Sequence, residues 1–363
     1  MIDPDAFAVL IADWCLEVEP GQQILVETTT LAEELASALH GAILERDAWP
    51  LLRITPPGIG NVVNRGAEFF RHARERHLDG FAPMSLLEAQ TADSRVRIDA
   101  PGSVGMTATD PALVTRHAAA TAQLQLARAA IRWCGTIWPT PALADRAGMS
   151  EPAYEQFLER ALFLDQPDPV AAWRALSVRQ ATVVEHLTPV REIRIETVGT
   201  DLTLTVSDRS WANSDGKRNM PSGEVFTSPH ELSANGTIHF DVPSYRGGFQ
   251  VSDVELRFVD GEVVGAHAAD GDEYLQAALA TDAGARFLGE IGIGTNVGID
   301  RATGSTLLDE KIAGTVHLAL GRSYPETGGR NESALHWDLI CDLRKGGRLT
   351  VDGEPLIIDG ELV

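Results

Sequence analysis

Hydrophobic positions in the first half of the chain recur at two spacings in turn. From Asp3 to Glu17, Phe7, Leu10, Ile11 and Trp14 fall at helical intervals, and Gly21 stops that helix. Ile24-Leu25-Val26 then reads as a short buried strand. Thr30 is placed to cap a second helix running to about Arg46, and Leu51-Leu52-Arg53-Ile54 reads as the next strand. Helix and strand in alternation predict a parallel sheet with helices packed on it. Ala118 to Ile131 is predicted as one alanine-rich helix whose Gln and Arg residues exclude a membrane span. Trp138-Pro139-Thr140-Pro141 and Asp165-Gln166-Pro167-Asp168-Pro169 mark turns.

The pattern changes near residue 185. Arg191 to Glu196 and Leu202 to Val206 alternate as half-buried strands do, and Val254–Val259, Thr315–Ala319 and Trp337–Leu343 continue the strand-rich texture. Asp272 to Arg286 reads as one helix between them. The predicted architecture is α/β (α+β overall). An N-terminal α/β domain with a parallel sheet occupies 1–185, and a strand-rich mixed α/β domain occupies 186–363.

Composition narrows the function. The chain has 363 residues, 44% of them hydrophobic, enough for real cores. Its 52 Asp and Glu outnumber 30 Lys and Arg, a formal net charge of −22. No basic run offers a nucleic-acid surface, and the negative field repels anionic membranes while drawing cations. Cys15, Cys134 and Cys341 are far apart and form no CxxC pair, which argues against a disulfide framework and a thiolate zinc site. The acidic start, Met1-Ile-Asp-Pro-Asp5, is unlike a signal peptide, and no apolar run approaches membrane length, so a cytoplasmic location is expected.

Several familiar motifs fail. Gly289-Glu-Ile-Gly292-Ile-Gly294 is followed next by Gly298, which breaks G-x-G-x-x-G, and its glutamate would repel a pyrophosphate. There is no P-loop, no H-E-x-x-H around His230-Glu231, and no G-x-S-x-G elbow. What remains is chemistry without a nucleoside cofactor or covalent nucleophile.

His336-Trp337-Asp338 sits in an apolar strand, where residues two apart project from one face, so its imidazole and carboxylate point together. Such a pair suits a divalent ion, although the triplet alone is often structural. His317 lies in a short apolar strand bracketed by Gly314 and Gly321, where by itself it reads more readily as a histidine hydrogen-bonded in the core than as a ligand. Glu290 and Glu224 stand in apolar, glycine-bearing settings, where a buried carboxylate requires a cation partner. Tyr324 adds a phenol close in sequence to His317. Glu224, Glu290 and Asp338 carry −3, and a hydroxide would make −4, a sum that two divalent cations balance. Glu310-Lys311 reads as support behind such a site or as a surface ion pair.

At these residues the chain resembles the aminopeptidase T and aminopeptidase S family of dimetal leucyl-type aminopeptidases. The resemblance rests on Gly199-Thr-Asp-Leu202, Asn219-Met-Pro-Ser-Gly-Glu-Val-Phe-Thr227, Asp282 to Asn296, Asp309 to Gly321, Ser323-Tyr324, Gly328-Gly329, Asn331 and His336-Trp-Asp338. It is dense from about 196 to the C-terminus. Trp138-Pro-Thr-Pro-Ala142, Ala147-Gly-Met-Ser150 and Asp168 to Trp173 resemble the family's N-terminal domain.

The resemblance implies metal ligation by Glu224, Glu290, His317, His336 and Asp338, with Tyr324 at the centre. It implies two divalent ions (zinc, cobalt or manganese), peptide substrates with a free N-terminus, and a homodimer. Glu224 and Glu290 are then candidates for proton transfer, and Tyr324 for stabilising the oxyanion. Two other readings stand beside it. His317, His336 and Asp338 also match the facial triad of a mononuclear iron ring-opening dioxygenase on the same scaffold. A binding protein that has lost catalysis is the other.

Overall fold

The computed structural model describes residues 2–60, 65–103, 110–246 and 249–363. The chain divides into two compact units, one formed by Met1–Trp173 with Gly216–Pro221, the other by Arg174–Asp215 with Ser222–Val363. The break between Trp173 and Arg174 falls inside the helix Pro169–Leu187, which also contains position 185.

In chain order the strands are β1 (Gln23–Thr29), β2 (Trp49–Thr55), β3 (Ser94–Asp99), β4 (Arg132–Ile137), β5 (Glu192–Thr197), β6 (Thr200–Thr205), β7 (Ala212–Ser214), β8 (Asn219–Met220) and β9 (Glu224–Thr227). There follow β10 (Asn235–Phe240), β11 (Ser244–Arg246), β12 (Phe249–Val259), β13 (Glu262–Asp270), β14 (Leu288–Gly294), β15 (Thr315–Gly321), β16 (His336–Asp342), β17 (Arg348–Val351), β18 (Glu354–Ile358) and β19 (Glu361–Leu362).

The first unit is built on a parallel sheet of order β2-β1-β3-β4-β8. Ile24, Leu25 and Val26 are all buried, as expected of a strand covered on both faces. The helix Glu33–Glu45 buries Leu35, Ala36, Leu39, Ala42 and Ile43, an apolar stripe at helical spacing.

Local details differ from the sequence expectation. Thr29, not Thr30, caps the turn by accepting from the Leu31 N–H, and the α-helix starts only at Glu33. The first helix is α-helical over Pro4–Leu10 and widens to a π-turn over Ile11–Cys15. Ala118 to Ile131 is not one helix. Pro111–Ala120 and Ala122–Ala130 meet at Thr121, whose hydroxyl donates to the carbonyls of His117 and Ala118. That back-bonding loosens the backbone ladder at the junction.

The second unit holds two antiparallel sheets. The larger follows β11-β12-β10-β6-β5-β17-β18-β19, with β13 on β12, and the smaller follows β16-β15-β14-β9-β7. One core joins them: Ile193, Ile195, Leu202, Leu204, Ile238 and Leu256 from the larger, with Ile291, Ile293, Val316, Leu318, Trp337 and Leu339 from the smaller. Asp272 to Arg286 is also interrupted. The helix ends at Leu279, and a 3-10 turn follows over Ala283–Arg286. Between them Asp282 is extended, because its carboxylate is held by the Ser333 hydroxyl and the Ala334 N–H.

Candidate metal centre

The smaller sheet of the second unit sorts its residues by alternation. On β14, Ile291 and Ile293 face the core, so Glu290, Gly292 and Gly294 face the other way. On β15 the core takes Val316, Leu318 and Leu320, leaving His317 and Ala319; on β16 it takes Trp337, Leu339 and Cys341, leaving His336 and Asp338. Register then aligns the outward residues: Gly294 opposite Glu224, Gly292 opposite His317, Glu290 opposite Ala319, and Ala319 opposite Asp338. The small residues form the floor of the site. A Cβ on Gly292 would come within 2.2 Å of the His317 ring, so only glycine lets that imidazole lie across β14.

Five chemical groups follow one another at contact distance. His317 Nε2 lies 3.5 Å from Glu224 Oε2 and 3.5 Å from Glu290 Oε1. His336 Nε2 lies 3.4 Å from Glu290 Oε2 and 3.6 Å from Asp338 Oδ1. The two oxygens of Glu290 thus reach different imidazoles. Ligand atoms of Glu290, His336 and Asp338 all fall within 4.8 Å of one another, a spacing that fits a single ion. Among the described residues, both ring nitrogens of the buried His317, and Glu224 Oε2, have no hydrogen-bond partner. His317 Nε2 meets its two carboxylates no closer than 3.5 Å, and this donor set of carboxylates and imidazoles fits divalent cations.

Supports orient these groups. His336 Nδ1 is 2.8 Å from the Arg322 carbonyl, which makes Nδ1 the protonated nitrogen and turns the Nε2 lone pair inward. The Tyr324 hydroxyl is 3.3 Å from that Nε2. Gln180 donates to the Glu224 carbonyl, and Gly223, at φ +114°, donates to the Ser214 carbonyl 3.1 Å away just before Glu224.

Glu310 and Lys311 are the residues whose position the sequence did not settle, and the surface ion pair is excluded. Lys311 is fully buried, with Nζ 3.3 Å from Glu224 Oε1 and in contact with Glu310. The Asp309 carboxylate holds the turn that places them, accepting from Thr303 N and Oγ1 and from Gly304 N. A signal was present: Glu310-Lys311 runs into the apolar Ile312-Ala313-Gly314, a context like that of Glu290. The two charges cancel, so the −3 of Glu224, Glu290 and Asp338 stands.

Titration behaviour reflects that crowding. Burial opposes charge on His317 and His336, but contact with Glu290 and the surrounding carboxylates outweighs it and raises both to about 9. Burial also works against Glu290, yet the two imidazoles hold it down at about 2. Glu224 and Asp338 are raised, first by burial and then by neighbouring carboxylates. Burial, reinforced by four carboxylates, raises the Tyr324 phenol and keeps it neutral. Without cations, the two protonated imidazoles offset part of that acid charge.

Fold and cluster together define a mixed α/β protein with a buried site for divalent metal. Residues 4–361 match the thermophilic metalloprotease (M29) family, and the chain belongs to it. Aminopeptidase 2 of Geobacillus stearothermophilus is 31% identical over 98% of this chain and 96% of its own length. Among solved structures, wild-type AmpT of Thermus thermophilus superposes with a TM-score of 0.82 at 24% identity, covering 99% of this chain and 98% of that one. A 2,5-dihydroxypyridine dioxygenase of Pseudomonas putida KT2440 shares the fold at a TM-score of 0.60 and 15% identity, covering 100% of this chain and 98% of that one.

Proposed function

We propose that Glu224, Glu290, His317, His336 and Asp338 hold two divalent ions, and that with Tyr324 they form the active site for removing the N-terminal residue of peptides. The chain is a metal-dependent aminopeptidase, a peptide hydrolase of the M29 family. The observation that carries the dimetal reading is Glu290, whose two oxygens reach toward different imidazoles, so that it would help to hold an ion with each histidine.

Ions bound there supply Lewis acidity, which polarises the scissile carbonyl and lowers the pKa of water. The protein's own groups do the rest. The Arg322 carbonyl holds the ring of His336 in its metal-binding orientation. Tyr324, kept neutral by burial and acids, retains a proton to donate to the developing oxyanion. Glu224 and Glu290 are the carboxylates placed to carry a proton to the leaving amine. The surplus of buried acid also attracts the α-ammonium of a free N-terminus. A single iron held by His317, His336 and Asp338 leaves Glu290, which touches both histidines, without a task.

Zinc, cobalt or manganese, a cytoplasmic location and a homodimer complete this reading. The buried free cysteines and the absence, among the described residues, of a helix long and apolar enough to cross a membrane are compatible with it. The test combines elemental analysis with hydrolysis of leucine p-nitroanilide. Two divalent ions per chain, with turnover lost in chelator and restored by added metal, are expected. One iron per chain with oxygen uptake, or metal without turnover, overturns the proposal.

A further inference from the structure

We propose a ligand site in the first unit: a cavity of about 230 Å³ at the carboxyl ends of β1, β2 and β3 that takes a small carboxylate of amino-acid size carrying a hydrogen-bond donor. This inference does not rest on the metal centre.

The topology creates the opening. The sheet runs β2-β1-β3, so the connection leaving β1 goes to one side while the strand on its other side arrives later in the chain. In parallel sheets the crevice at such a reversal, outside the carboxyl ends of the strands, is where ligands bind. Here it is lined by Glu27, Arg53, Arg65 and Arg97, and by backbone at Gly58 and Gly102.

The charges of the lining identify the ligand. Arg53 pairs with Glu88 at 2.7 Å and Arg97 with Asp99 at 3.2 Å. Arg65 pairs with no acid among the described residues, and its Nε is buried without a partner. Burial and the like charge of Arg53 both depress its pKa. The guanidinium lies over the Phe69 ring at 4.8 Å and is half-buried, with no acid partner among the described residues, so it can take an anion in the cavity. Glu27 supplies the second feature: it is 2% exposed and engages Arg128 through Oε2, while Oε1 has no hydrogen-bond partner among the described residues.

The hydroxyls of Thr28, Thr29 and Thr55 cannot fill these roles, because they donate to the carbonyls of Ile98, Ala100 and Thr28. One guanidinium without an acid partner and one unbonded carboxylate oxygen, lining the same cavity, suit a monoanion that also carries an N–H or O–H. A phosphate dianion would be left under-compensated and would face Glu27 directly. The planar fork of arginine matches a carboxylate in two parallel hydrogen bonds.

The test uses the full-length, metal-loaded protein and hydrogen exchange read by mass spectrometry. Leucine and N-acetyl-leucine should protect the peptides covering Glu27–Thr29 and Arg97–Gly102, while leucinamide and inorganic phosphate should need at least about tenfold higher concentration. Arg65→Gln should abolish that protection and leave hydrolysis of leucine p-nitroanilide within about twofold, and Arg65→Lys should retain part of the protection. Three results overturn the proposal: leucinamide or phosphate protecting as well as leucine, protection unchanged in Arg65→Gln, or no protection of these segments in the wild type. The wild-type panel decides the question even if a variant fails to fold.

Discussion

The two units both gather charged side chains onto sheets, and they balance those charges in opposite ways. On the parallel sheet, register sets Arg53, Glu27 and Arg97 side by side across β2, β1 and β3. Signs alternate, and Glu88, Arg128 and Asp99 complete the pairing from nearby. On the smaller antiparallel sheet, carboxylates and imidazoles converge, and the only buried lysine among the described residues is cancelled by Glu310. The first arrangement is nearly neutral by itself. The second is left with three acids to offset, by protonated imidazoles in the metal-free protein or by bound cations. The sign of the surplus, more than the number of charges, distinguishes a metal centre from a structural network.

The largest effect expected from breaking this contrast comes from removing a ligand. Glu290→Ala or Asp338→Ala should lower kcat/KM by on the order of 10³-fold, the several kcal/mol that a bound ion contributes, with bound metal reduced in parallel. Full activity at unchanged metal content would take that residue out of the site. Tyr324→Phe should keep its metal and lose about 10²-fold in kcat, because only an oxyanion donor is removed. A kcat equal to wild type would reduce the tyrosine to packing.

Matched substitutions compare the two networks directly. Lys311→Met and Arg128→Met each strip the cation from a buried acid, at about 3–5 kcal/mol of stability. Added divalent ion should raise the melting temperature of Lys311→Met more than that of wild type, and should give Arg128→Met no extra gain. Equal shifts in both variants would show that Lys311 is not electrostatically tied to the metal site.

A pH series tests the balance in the metal-free protein. His317 and His336 hold their protons to about pH 9 in the folded state, against 6.5 ordinarily. The native state then binds more protons than the unfolded one, so this contribution is complete below pH 6.5 and disappears as pH rises through about 9. Melting in chelator should therefore weaken across that window, and bound metal should flatten the slope. A rise in stability over the same range would reverse the assignment. The smallest effect is expected for Cys134→Ser, which removes a buried thiol from β4 and should leave turnover unchanged.

Residue types and local periods carried the sequence reading a long way. Glu290 and His317 were legible because a titratable group in an apolar, glycine-bearing strand needs a reason to be there. Alternation along the strand is enough to put His336 and Asp338 on one face. Helix ends were less legible, since Thr121 and Asp282 interrupt predicted helices through bonds that the apolar pattern does not encode.

By itself the chain determined which segments become strands, which of their faces is apolar, and which chemistry stands on the other face, because those are properties of neighbours one or two residues apart. Tertiary structure alone decided that Lys311 is buried against Glu224, that Glu290 lies between two histidines, and that Arg65 meets no acid among the described residues. Each depends on strand order and register between segments distant in sequence, and the cost of burying a charge is set by what those distant segments bring beside it.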